Sequence, residues 1–142
     1  MNSFFSKKCE YGLQAVLYLA ATDEDYICSS EEISNKLLIP REFTSKILQS
    51  LTESKIIESR KGKAGGFKLA KHPSKIKLIE IVEAVDGLDS FNTCVLGFPN
   101  CSDKNPCPLH EKWGVLRGQA LQMLSEENLE HFKEKTLNKI KK

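Results

Sequence analysis

No stretch of this 142-residue chain approaches the roughly 20 consecutive apolar residues needed to cross a bilayer, which argues against a membrane protein. The opening MNSFFSKKCEYGLQAV has no long apolar block and no small-residue cleavage site. The expectation is therefore a cytoplasmic protein without a secretory signal. No Cys-x2-Cys pair occurs, and no serine, histidine and acid set stands out, so a thiol redox enzyme, or an enzyme of any kind, is not expected. The Gly-Lys-Ser or Gly-Lys-Thr that closes a nucleotide-binding P-loop is also missing. Neither an internal repeat nor a low-complexity linker interrupts the chain. Charge of one sign is scarce in total: 21 basic and 19 acidic residues leave a net +2, so nucleic-acid binding cannot be argued from the sum.

What is present is ordinary globular composition, 40% hydrophobic and 28% charged, at a length suited to one domain with one substantial core. The charge is unevenly distributed. Lys55, Arg60, Lys61, Lys63, Lys68, Lys71, Lys75 and Lys77 face the single acid Glu58, whereas Asp23 to Glu32 holds five acids and no base. One face of the molecule is expected to be basic.

Hydrophobic periodicity places Leu13, Val16, Leu17 and Ala20 on one face of a first helix. Ser29-Ser30-Glu31-Glu32 reads as a capping box, with a serine on a first-turn amide and Glu32 reaching back, ahead of a short second helix marked by Ile33 and Leu37. After a turn at Leu38 and Ile39, Pro40 suits the first position of a third helix, whose buried stripe is Phe43, Ile47, Leu48 and Leu51. Ile56 to Ser59 and Phe67 to Ala70 read as two strands around a basic, glycine-rich turn. A fourth helix with Leu78, Ile81, Val82 and Val85 on one side stops at Gly87. Leu109, Trp113, Leu116, Ala120 and Met123 mark a longer amphipathic helix, and Ser125 is placed to cap a last one. The fold class is mainly α with a small β-hairpin wing: a winged helix-turn-helix plus a long dimerisation helix. Its expected divisions are a DNA-binding domain over 1–90, a cysteine-rich cluster-binding loop over 91–108, and the dimerisation and C-terminal helices over 109–142.

In a helix-turn-helix the second helix of the motif enters the major groove of double-stranded DNA with its N-terminal residues nearest the bases. That nominates Arg41, Thr44, Ser45, Lys46 and Gln49 on an outer face. The hairpin adds Arg60, Lys61 and Lys63, cations that would displace condensed counterions, beside glycines that let the backbone approach a phosphate.

The segment CVLGFPNCSDKNPCPLH has the spacing Cys94-x6-Cys101-x5-Cys107-x2-His110. Five cysteines, an odd number, in a reducing compartment favour metal binding over disulfides. Three thiolates and an imidazole would satisfy a structural zinc, though the usual paired knuckles are missing. An iron-sulfur cluster is broader than one ion and can be held by ligands spread along a loop. A thiol redox switch and a chance grouping stay open beside these two. Cys9 and Cys28 lie outside the segment and read as small buried hydrophobes.

Taken together, FTSKILQSLTESKIIESRKGKAGGFKLAK, CEYGLQAVLYLA, IKLIEIVEAVDG and the cysteine loop followed by His110 and Trp113 resemble the bacterial winged-helix transcriptional regulators of the IscR and NsrR type. That resemblance implies a homodimer contacting its partner through the long penultimate helix, and an iron-sulfur cluster, 2Fe-2S in preference to 4Fe-4S, that tunes DNA affinity. By the same resemblance Cys94, Cys101 and Cys107 are ligands and His110 completes the set. Glu10 of the partner subunit is the alternative fourth ligand. The first cysteine gap is one residue longer here than in the IscR pattern.

Overall fold

The computed structural model describes residues 5–140. α1 (Lys7–Ala21) starts where the Ser6 hydroxyl accepts the Cys9 amide at 3.0 Å. It runs through the centre of the molecule, burying Val16, Leu19 and Ala20. α4 (Leu78–Val85) crosses it at Gly12, where an added Cβ would sit 3.1 Å from Val85 Cγ2.

α2 (Ser30–Leu37) and α3 (Arg41–Glu53) pack on each other and on α1. Only half of the expected box forms at the start of α2. Ser29 Oγ accepts from the Glu32 amide at 3.1 Å, but the Glu32 carboxylate does not reach back. It accepts instead from the Tyr18 hydroxyl at 2.7 Å, from the Tyr26 hydroxyl and from the Cys28 thiol at 3.6 Å. Burial opposes its charge, but those three donors outweigh burial and lower its pKa. The turn between the helices holds Leu38 in a left-handed conformation (φ 55°, ψ 44°). Below it, Ile39 is buried and its carbonyl accepts from the buried Ser34 hydroxyl. Pro40 is the N-cap of α3 rather than its first helical residue.

β1 (Ile57–Arg60) and β2 (Gly66–Leu69) form an antiparallel hairpin with Ile57 opposite Leu69 and Arg60 opposite Gly66. Cys28 adds a third backbone segment through a bridge to Phe67, with N···O distances of 2.9 and 2.7 Å. The glycines at the hairpin have a steric explanation that needs no ligand: a Cβ on Gly66 would lie 2.3 Å from the Cys28 carbonyl oxygen, and one on Gly65 2.4 Å from that of Arg60.

α5 (His110–Glu126) extends past Ser125, so Ser125 lies inside this helix and does not cap the last one. The chain instead breaks at Glu127, turns through Leu129–Phe132 with Asn128 as the cap, and continues as α6 (Lys133–Ile140). Leu129 is fully buried in the main core, and Ile140 packs against it. A second, smaller core joins Cys9, Val82, Phe91 and Leu124. Ala120 and Leu121 pack on it, whereas Leu116 and Met123 point to solvent, so the stripe expected on α5 divides between two environments. Among the described residues, no helix is long and apolar enough to cross a membrane.

Because the hairpin docks through Gly66, Gly66→Ala is expected to lower the unfolding free energy by more than ~2 kcal/mol in urea titrations. A loss below ~0.5 kcal/mol would mean that the Cys28 backbone gives way freely.

Candidate metal centre and nucleic-acid surface

The cysteine loop lies between a 3-10 turn at Asp89–Asn92 and the start of α5. Its three sulfurs converge: one ligand atom from each of Cys94, Cys101 and Cys107 lies within 4.8 Å of the others, and the Cys94 and Cys107 sulfurs are 3.5 Å apart. All three side chains are half-buried. His110, the first residue of α5, turns Nδ1 to within 3.2 Å of Cys101 Sγ. Its Nε2 lies 2.8 Å from Asp103 Oδ1. An ionised carboxylate can only accept, so Nε2–H is the donor and Nδ1 keeps its lone pair toward the sulfurs. A histidine whose second nitrogen is held by a carboxylate is the usual arrangement around a bound metal.

The thiols are not equivalent. Burial resists ionisation of Cys94, but hydrogen bonds from the backbone amides of Phe98 and Leu96 and from the Cys107 and Cys101 thiols bring it down to about 7. At Cys101 the Cys107 backbone amide favours the thiolate, but burial and the neighbouring Cys107 and Cys94 sulfurs outweigh it and raise the pKa. Soft donors, one of them ionisable near neutrality, with an imidazole lone pair beside them, fit a thiolate-held metal centre. By contrast Cys9 and Cys28 are fully buried, and burial, aided by Asp86 and Glu32 respectively, pushes each up to about 12.

Glu10 sits in the first turn of α1 and pairs with Lys7 at 3.4 Å. It is not part of the group formed by the three cysteines. Two further residues belong to the site. Asp103 joins it through the far nitrogen of His110. Arg117 lines the site with the three cysteines and His110, and it lies one helical turn beyond Trp113, so extending the α5 periodicity from His110 would have found it. Trp113 ties the loop to the helix by donating its indole N–H to the Thr93 carbonyl at 3.1 Å.

In the helix-turn-helix, α3 exposes Arg41, Ser45, Lys46 and Gln49. Thr44 is a correction. It is 3% exposed and its hydroxyl donates to the Pro40 carbonyl one turn back, so it cannot reach a base edge from this position. Phe43 takes the reverse exchange, at 38% exposure with an edge contact to Tyr11. Thr44 lies three residues before Ile47, four before Leu48 and seven before Leu51, so the helical period places it on the buried stripe, with Phe43 at the stripe's edge. Arg41 pairs with Glu31 at 3.1 Å and Arg60 with Glu58 at 3.0 Å, while Lys61 and Lys63 are exposed on the hairpin turn.

Comparison with known proteins agrees with this architecture. Residues 5–135 match the model of Rrf2, described as an iron-dependent transcriptional regulator. The chain belongs to the Rrf2 family. An HTH-type transcriptional regulator of Aquifex aeolicus is 38% identical over 117 residues, 81% of each chain. The regulator NsrR of Shouchella clausii is 32% identical over 110 residues, 72% of each. Among solved structures, CymR, the global cysteine regulator of B. subtilis, superposes with a TM-score of 0.76 at 21% identity, covering 94% of this chain and 98% of that one. T. potens IscR gives 0.73 at 21% identity, covering 95% and 88%. At that identity the structures establish the fold, a winged helix. The Rrf2 chain is thus a transcriptional regulator of a family of DNA-binding proteins, and nothing in that family assignment points to catalysis.

The thiol order gives a direct check. In metal-free protein, pulsed iodoacetamide labelling mapped by mass spectrometry is expected to modify Cys94 with a midpoint near pH 7 and before Cys101, leaving Cys9 and Cys28 unlabelled in the folded state. Cys101 reacting first would overturn the assignment.

Proposed function

We propose that this Rrf2-family regulator is a homodimer that binds double-stranded DNA and whose DNA affinity is governed by an iron-sulfur cluster held by Cys94, Cys101, Cys107 and His110. The observation that carries the reading is the convergence of three sulfurs, with His110 Nδ1 3.2 Å from Cys101. The names NsrR and IscR among the relatives and neighbours support it further. A 2Fe-2S cluster is preferred over a 4Fe-4S one because a nitrogen ligand three residues after the last cysteine suits a mixed sulfur and nitrogen set. When bound, the cluster supplies a redox-sensitive centre with bonds to several points of the loop at once.

The chain's own residues connect that centre to DNA. His110 opens α5, and Trp113, one turn on, is anchored to Thr93 at the other end of the loop, so any rearrangement of the loop acts on the start of the helix. Farther along α5, Leu116 and Met123 are exposed at 58% and 54%, seven residues apart on one face, as a helix pairing with its counterpart requires. A change in how α5 helices cross would alter the spacing of the two α3 helices, and paired half-sites demand a fixed spacing. In this reading Arg41, Ser45, Lys46 and Gln49 face bases or phosphates, and Arg60, Lys61 and Lys63 neutralise the backbone beside them.

Protein purified without oxygen is expected to show visible charge-transfer absorption with iron and acid-labile sulfide. Cys94→Ala, Cys101→Ala and Cys107→Ala should each abolish it. His110→Ala should leave a weaker, more labile chromophore, whereas the same effect from Glu10→Ala instead would transfer the fourth ligand to the partner's first helix. A colourless protein carrying one zinc per chain would defeat the iron-sulfur reading.

For the DNA surface, replacing Arg60, Lys61 and Lys63 together by alanine should weaken binding to unrelated duplexes alike and reduce the slope of log affinity against log salt by about 2 to 3. An unchanged slope would remove the hairpin from the interface.

A further inference from the structure

A groove of about 660 Å³ opens between α1, the turn after α2, α4 and α6, and no residue of the cysteine loop lines it. Its walls are apolar: Leu17, Leu37, Leu78, Phe132 and Ile140. Every ionisable residue lining it, among those described, is a lysine: Lys36 from α2, and Lys135 and Lys139 one turn apart on α6. No carboxylate is among the described residues lining the groove, although Lys36 also feels the Glu32 carboxylate one turn back on α2. At the mouth stands Leu38, 86% exposed and held in the left-handed conformation at the helix-turn-helix turn. A leucine is poorly suited to both circumstances, since its Cβ disfavours that backbone and its side chain gains nothing from water.

We infer that this groove is a binding site for an amphipathic anion of the long-chain acyl carboxylate class, its chain against Leu17, Leu78, Phe132 and Ile140 and its head among Lys36, Lys135 and Lys139. The volume falls within the usual range for small-molecule sites. Apolar walls with a lysine rim suit a ligand that joins an apolar chain to an anionic head. The wall formed by Leu37 and Leu38 is the turn that sets α3 relative to α2, so an occupied groove bears on the DNA-reading helix directly. The site is independent of the cysteine loop and stands whether or not a cluster is bound there.

The test is calorimetric titration of the full chain, below the micelle concentration, with dodecanoate, dodecanol and dodecyltrimethylammonium. Saturable binding of one dodecanoate per chain is expected, at least tenfold tighter than dodecanol, with the cationic amphiphile weaker still. The exposed double substitution Lys135→Glu with Lys139→Glu should weaken dodecanoate at least tenfold and leave dodecanol unchanged, and Leu38→Ser should weaken both. Equal binding of the three amphiphiles, non-saturating uptake, or indifference to the charge reversal would each overturn the site. So would a charge-reversed protein whose only change is its sedimentation, because that would make the groove a contact between copies of the chain.

Discussion

One residue does two jobs that must be compatible. His110 begins α5 and, from that first helical position, turns its ring nitrogen to the Cys101 sulfur. The loop between Thr93 and Leu109 forms no helix or strand, only an isolated bridge between Ser102 and Asn105. Among the contacts that hold it are the three sulfurs with one another, Asp103 on the far nitrogen of His110, and the Trp113 indole on Thr93. Each ties the loop either to itself or to α5. In the proposed reading these ties to α5 are what make a change at the sulfurs a mechanical event.

The winged-helix half is built on close backbone approaches and a single shared carboxylate. Gly12 lets α4 lie against α1, and Gly66 lets the hairpin dock on the Cys28 backbone. Glu32 gathers Tyr18, Tyr26 and Cys28, which come from α1, from the loop after it and from the segment paired with β2. These contacts fix α2 and the hairpin relative to α1, and α3 follows because Ile39 and Ser34 lock the turn between α2 and α3. Hydrophobic burial holds the elements together, but Val16, Leu48 or Ile81 would pack nearly as well in several orientations. The glycine contacts and the Glu32 network select one.

Much of this architecture could be read from the residues. Periodicity located the helices, the basic turn between two apolar runs located the hairpin, and Gly87 marked the end of α4. The cysteine and histidine spacing named the group that converges. The misreadings share a cause: each depended on the phase of a helix or the destination of a side chain. Thr44 is polar and looks like an outer-face residue, yet it sits one turn before Leu48 on the buried side of α3. Ser125 looked like a cap because serines often are, yet Leu124 had core to cover on α4 and carried the helix past it. Glu32 had the right spacing for a capping box, but the hydroxyls of Tyr18 and Tyr26, outside its helix, were better donors than its own helix N-terminus.

The sequence by itself determined what repeats locally: element order, the uneven charge, the choice of soft ligands, and the family to which these patterns belong. Those features depend on residue type and on spacings of a few positions, which the covalent chain sets before folding. Tertiary structure alone decided that Asp103 and Arg117 join the cysteines, that Gly66 serves the Cys28 backbone, and that three lysines from α2 and α6 surround one apolar groove. Lys36 and Lys139 are about a hundred positions apart in the chain. Only the packing of α6 back onto α1, driven by burial of Leu129 and Ile140 in the main core, brings such residues together.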